Sequence, residues 1–189
     1  MTFDTEKFRL RRFVEKLAAL GEVEEYNAPI ALGALAGWVE NSAKVAHFHA
    51  VGPERFEMVA GVNASPSRIA AAFGIGEKQV LPEYLRRLQQ KQQVAEIPSA
   101  EAPVHQVILT GDQIDLTRLP FYLQHEYDGA PYISAAMDFA IDPATNKPNV
   151  GCRRLMLRSR TTLRSNLTQP SDLRRIYLGC VEQIGRAHV

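Results

Sequence analysis

"NKPNVGCRRLMLRSR", residues 146–160, is the stretch on which the reading of this chain turns. It carries five cationic residues, Lys147, Arg153, Arg154, Arg158 and Arg160, against three large apolar ones at 155–157. Even so, it has the pattern of a strand rather than of a tail, and a polar turn, "PATNKP" (143–148), precedes it. On the other side of that turn, "PYISAAMDFAID" (131–142) alternates along its whole length. Long strands joined by tight turns predict an antiparallel sheet or barrel in the C-terminal half.

The arginines need an explanation. Between Lys147 and Arg175 stand eight cationic residues and one acid, Asp172. A solvated basic face accounts for most such runs, but Arg153 and Arg154 are flanked by Val150, Leu155 and Leu157. A half-buried arginine requires an anion, since an unpaired charge there costs several kcal/mol. No acid lies within 146–160. Either acids from elsewhere in the fold pair with it, or the phosphate or carboxylate of a ligand does. The guanidinium fork suits both, and unlike lysine it cannot shed its charge. Asn149 and Arg154 are an odd number of residues apart, so on an ideal strand they face opposite ways. To share a site they need a bulge, and Gly151 is where one is expected; it would also let a ligand approach the backbone.

Working outward, the segment 1–95 alternates helix and strand as a small α/β layer. Asp4 is placed to cap a helix with the stripe Leu10, Phe13, Val14, Leu17 and Leu20, stopped by Gly21. "EVEEY" (22–26) is a short strand, and "PIALGALAGWVENSA" (29–43) a buried helix with Trp38 in the core. "KVAHFHAV" (44–51) and "FEMVAGV" (56–62) are adjacent strands around a Gly52-Pro53 turn. Ser65 and Pro66 open a helix, and "LPEYLRRLQQK" (81–91) is another, polar on one face. "GIGEK" (74–78) lacks phosphate-loop spacing and is a turn. The segment 96–103 is a proline-bearing linker. In 104–183, "HQVILTG" (105–111) alternates as a strand, "LTRLPFY" (116–122) turns, and "SDLRRIYLGCVEQ" (171–183) is a helix capped by Ser171. The last residues, "IGRAHV" (184–189), are what a common sequencing adapter encodes and are expected to be a read-through tail. The fold class is thus α+β.

Composition narrows the function. Net charge is +1, with 23% charged residues, so no global field recruits nucleic acid or an anionic membrane. The basic run 147–175 has little aromatic interleaving, which also argues against nucleic acid. No apolar run approaches the roughly 20 residues needed to cross a bilayer, and "MTFDTEKFRLRR" lacks a signal-peptide core. Cys152 and Cys180 have no metal or redox spacing. A cytoplasmic protein is expected.

A wider pattern joins these pieces. Leu119-Pro120, His125, Asp128-Gly129, Pro131 to Ser134, Asp142-Pro143, Asn149 to Gly151, and Arg154 occur at the spacings of the UbiD family of decarboxylases, which the chain resembles. The resemblance implies an N-terminal α/β portion followed by the first part of a flavin-binding split β-barrel. It implies reversible decarboxylation of aromatic, heteroaromatic or α,β-unsaturated carboxylic acids with prenylated FMN, in a homo-oligomer when full length. Residue by residue, Arg154 corresponds to the arginine facing the substrate carboxylate. Asn149 corresponds to a ligand of the divalent metal, manganese or magnesium, that bridges the cofactor phosphate. Ser134 corresponds to a hydroxyl touching the cofactor, and Cys152 and Arg153 to backbone running along the flavin. Two departures stand out. "RSNLTQPSD" (164–172) has no histidine where many members carry a metal-binding one, and Arg153 stands where an aromatic or small residue is usual. The family's catalytic glutamates fall beyond residue 189, so the chain is expected to be an N-terminal fragment, inactive alone. The other reading is a flavin- or phosphate-binding split-barrel module without decarboxylase activity.

Two more sites merit attention. His47 and His49 face one way on a strand, as a metal pair would, but the neighbouring sequence offers no third ligand and a structural role is expected. His125 with Asp128 is either a catalytic pair or a loop histidine that positions "DGAPYI".

Overall fold

The computed structural model describes residues 6, 9–90, 97–167 and 170–184. Helices and sheets are mixed, and the chain divides into two compact units, 1–111 and 112–189.

In the first unit, α1 (Leu10–Ala19) buries Val14 and Leu17 from its apolar stripe, while Leu10 and Leu20 remain exposed. It stops at Gly21, whose φ of 73° suits a residue without Cβ; the Gly21 N–H donates to Ala18 O and that of Glu22 to Leu17 O. The capping role read for Asp4 lies outside the described residues. β1 (Val23–Tyr26) pairs in parallel with β2 (Val45–Val51), which pairs antiparallel with β3 (Phe56–Ala60). The central strand carries the core, with Val45, Ala46, Phe48, Ala50 and Val51 all buried. β2 is hydrophobic on both sides except at His47 and His49.

α3 (Pro66–Phe73) forms as its sequence demands. The Ser65 hydroxyl accepts the Arg68 N–H at 3.2 Å, and Pro66 occupies the first turn. α4 (Val80–Leu88) follows, with Glu83 joined to Arg86 and Arg87 on its polar face. The helix expected over 29–43 is instead a 3₁₀ turn, Leu32–Ala34, leading into the short α2 (Leu35–Asn41), of which Leu35 alone is buried. Trp38 is not a core residue. It is 46% exposed and meets Tyr26 edge-on at 5.1 Å, because so short a helix offers one contact row to the sheet.

The second unit is built on a hairpin. β4 (Tyr132–Ile141) and β5 (Pro148–Leu157) pair antiparallel, and β6 (Leu163–Arg164) adds to β5. α5 (Asp172–Ile184) follows Ser171, whose hydroxyl accepts the Arg174 N–H at 3.2 Å. Residues 185–189 of the expected tail lie outside the described residues. The segment 105–111 is not a strand. It is irregular chain between the 3₁₀ turns Pro103–His105 and Gly111–Gln113, with Val107, Ile108 and Leu109 exposed, since alternation makes a strand only where a partner accepts its hydrogen bonds. Among the described residues no helix is long and apolar enough to cross a membrane.

Asp142 locks the hairpin to the helix. Its buried carboxylate accepts the Ala144 N–H at 3.0 Å, the Thr145 hydroxyl at 3.0 Å and the Arg175 guanidinium at 2.9 Å. The Ala144 N–H first, then Arg175, hold this carboxyl below its ordinary value. A depressed folded value lends stability above the unfolded value near 3.9 and loses it as pH falls through the folded one. The melting temperature should therefore drop between neutral pH and about pH 3, and Asp142→Asn should flatten that drop. An equal slope in the variant would show that other carboxylates govern acid unfolding.

Candidate active site

β4 and β5 give the hairpin two unlike faces. Asn149, Gly151 and Arg153 are half-buried with Ala136, Asp138 and Ala140, while Val150, Cys152 and Arg154 are exposed with Met137 and Phe139. Period-two alternation produces this division, and it places Asn149 and Arg154 on opposite faces of β5. The pairing is regular through Gly151, which sits opposite Asp138. The bulge lies elsewhere: register shifts between Ile133 and Ala136, so that Ser134 and Ala135 together oppose Arg154.

Acids from other parts of the unit meet the arginines. Arg154 donates from Nη1 to Asp128 Oδ1 at 3.3 Å, and its guanidinium lies 4.4 Å from the centre of the Tyr132 ring. At 52% side-chain exposure it remains open to an incoming anion. Asp128 is itself well buried and accepts the backbone N–H groups of Gln124 and His125, each at 3.0 Å. Burial pushes its carboxyl up, but those two N–H groups and Arg154 outweigh burial and hold it below the usual range. His125 is the local, loop-shaping histidine: its Nδ1 accepts the Tyr127 N–H at 3.2 Å, and its link to Asp128 is through its backbone.

Arg153, on the inner face, has Nε 2.8 Å from Asp138 Oδ1. The contact is a charge pairing without hydrogen-bond alignment, leaving Arg153 Nε and both Asp138 oxygens buried and without hydrogen bonds. This pair explains Gly151. A Cβ there would stand 3.2 and 3.3 Å from the Asp138 oxygens and 3.4 Å from an Arg153 nitrogen, so the glycine admits a neighbouring carboxylate over the β5 backbone. Arg160 reaches Asp115 at 3.3 Å in the same way. Of the residues singled out from sequence, the exposed side therefore gathers Ser134, Cys152 and Arg154, and the inner side Asn149 and Arg153. Asp128 as the partner of Arg154, and Asp138 as that of Arg153, were not paired by sequence reasoning. The signal for Asp138 is a lone acid in an alternating apolar strand, "AAMDFAI" (135–141).

Comparison with known proteins adds to this geometry. Residues 95–182 match the UbiD family, described as 3-octaprenyl-4-hydroxybenzoate carboxy-lyase Rift-related domain. Pyrrole-2-carboxylic acid decarboxylase of Pseudomonas aeruginosa is 30% identical over 81% of this chain and 34% of its own length. Anhydromevalonate phosphate decarboxylase of Methanosarcina mazei is 27% identical over 85% of this chain and 36% of its own. The chain thus spans about a third of the length of these curated relatives. Among solved structures, the UbiD-class enzyme HmfF from Pelotomaculum thermopropionicum, an evolved dimeric form in complex with prFMN, superposes with a TM-score of 0.85. It is 24% identical, and the match covers 94% of this chain and 42% of that one. The apo 3,4-dihydroxybenzoic acid decarboxylase of Klebsiella pneumoniae gives a TM-score of 0.82 at 20% identity, covering 92% and 40%. The fold is theirs, and residues 95–182 belong to the UbiD family, of whose members the chain is a partial match.

Proposed function

We propose that this chain forms the carboxylate- and flavin-facing part of a decarboxylase that removes CO₂ reversibly from an aromatic, heteroaromatic or α,β-unsaturated carboxylic acid, using prenylated FMN. The observation that carries the reading is Arg154, exposed at the β4 bulge, braced by Asp128 and lying over Tyr132. Its relatives include enzymes named as decarboxylases, and a neighbour of the same fold holds prFMN.

The residues present fit the aromatic ring system of a flavin. Met137, Phe139 and Val150 form an exposed apolar row on the face that ends at Cys152 and Arg154, and Phe139 is 75% exposed. Ser134 and Cys152 would contact the flavin along this face, with Arg153 contributing backbone. When bound, the flavin supplies the electron sink that CO₂ loss requires. Arg154 holds the substrate carboxylate by its fork, and Asp128 keeps that fork from swinging away. With a flavin laid on it, the apolar row would exclude water from this face, which would strengthen the pairing. Asp128 is ionised at neutral pH and so is not the proton donor; the resemblance gives that role to glutamates past residue 189. A divalent cation, manganese or magnesium, would take Asn149 as one ligand. Among the described residues of 112–184 no three imidazole, thiol or carboxylate side chains gather as a metal would need, and Asp138 is paired with Arg153. We place the whole protein in the cytoplasm as a homo-oligomer.

Titrating FMN fluorescence with this chain, with and without an aromatic acid, tests the reading. Quenching by the protein that changes when the acid is added is expected. Quenching indifferent to the acid would favour a flavin- or phosphate-binding module without decarboxylase activity.

A further inference from the structure

The sheet of the first unit carries a second cluster of ligand-type side chains, which the proposed function does not use. His47 and His49 project from one side of β2, and spacing alone offers them no third partner. The parallel pairing of β1 with β2 supplies one, because Glu25 is the register partner of His47. Glu25 Oε2 lies 2.9 Å from His47 Nδ1 and 2.7 Å from His49 Nε2, and the two rings are 4.3 Å apart. One ligand atom from each of the three residues falls within 4.8 Å of the others.

The protons do not balance unless a positive charge is added. A neutral imidazole has one N–H and one lone pair. His47 Nε2 lies 2.9 Å from Glu57 Oε1, on β3, and Arg11 holds the other oxygen of Glu57 at 2.7 Å. With its proton donated to Glu57, His47 turns the Nδ1 lone pair toward the carboxylate of Glu25. That nitrogen is buried and makes no hydrogen bond in spite of its close oxygen. A carboxylate facing an imidazole lone pair is repulsive, and a cation between them removes the repulsion. Metal-binding histidines typically donate their other N–H to a carboxylate, which is where Glu57 stands.

We propose that Glu25, His47 Nδ1 and His49 Nε2 form a binding site for a divalent transition metal, zinc foremost, with Glu57 orienting His47. Two imidazoles and one carboxylate are a donor set for zinc, whereas calcium and magnesium prefer oxygen alone. His49 and Glu25 are 40% and 46% exposed, so water can complete the coordination. Tetrahedral ligands on arms of about 2.1 Å stand about 3.4 Å apart. The side chains must therefore spread by roughly half an ångström as the ion enters, and their exposure leaves them room.

The test is equilibrium dialysis of the whole chain, stripped with a chelator, against Zn²⁺ alone at tens of micromolar, followed by metal analysis. One zinc per chain is expected, with a rise in melting temperature. His49→Ala and Glu25→Gln should each weaken binding by about 10–100-fold and lose the rise, and Glu57→Gln by about 10-fold, through His47. Co²⁺ should give the visible absorption of a four-coordinate site in the wild type and not in His49→Ala. Circular dichroism confirms that the half-exposed substitutions leave the fold intact. Failure of the wild type to retain zinc, or equal retention by His49→Ala and Glu25→Gln, overturns the proposal. It would leave His47 as a bridge between Glu25 and Glu57 that holds no metal.

Discussion

Arg154→Ala is expected to lower CO₂ release by about 10²–10³-fold in the full-length protein, with flavin retention nearly unchanged. The reason is positional. Arg154 is the exposed cation beside the β4 bulge, and Asp128 engages it through one contact at 3.3 Å. The guanidinium fork is therefore available to a substrate carboxylate, while the Asp128 brace fixes its direction. Alanine removes charge and fork together. Arg154→Lys keeps the charge without the planar fork and should fall between the two. Separate measurement of kcat and KM, with flavin absorbance as the control for cofactor loss, distinguishes the outcomes. Unchanged turnover in Arg154→Ala would remove this residue from the mechanism. Loss of the flavin in step with activity would assign it to cofactor binding instead.

Arg68→Ala should have the largest effect on stability, about 3–5 kcal/mol, a large share of the 5–15 kcal/mol typical of a folded domain. Arg68 is 5% exposed and ties three segments to α3. Its Nη1 donates to Gly61 O at 2.7 Å, Nη2 to Ala43 O at 2.5 Å, and Nε to Glu22 at 3.2 Å. Removing it strands two backbone carbonyls and leaves Glu22 without its ion-pair partner. Arg68→Met keeps the apolar stem and so separates packing from polar loss. Urea unfolding of the chain, followed by circular dichroism, gives the difference. A loss below about 1 kcal/mol would mean that water reaches those carbonyls and satisfies them.

The parts of the fold that could be read in advance are those whose instructions are local. α3 begins where Ser65 and Pro66 say it should, α1 ends at Gly21, and α5 follows Ser171. The hairpin of β4 and β5 is legible because both strands alternate and a polar turn divides them. Elsewhere alternation misled. Residues 105–111 have the period of a strand but no strand beside them, and Trp38 has the character of a core residue on a helix too short to bury it.

The candidate site divides along the same line. Sequence by itself determined which residues are present at family spacing, Asn149 and Arg154 among them, and that Arg153 and Arg154 must find anions wherever the strand buries them. It also determined, through odd spacing, that Asn149 and Arg154 take opposite faces unless the strand is interrupted between them. Only the tertiary structure decided that β5 runs from Asn149 to Arg153 without interruption, the bulge falling on β4 at Ser134–Ala135 instead. It alone decided which acids answer which arginines, and that Glu25 comes to lie against His47. The physical reason is that propensity, capping and turn chemistry act over a few residues of chain. Strand register, and with it every contact between distant charges, is set by which residues the packed sheet buries together.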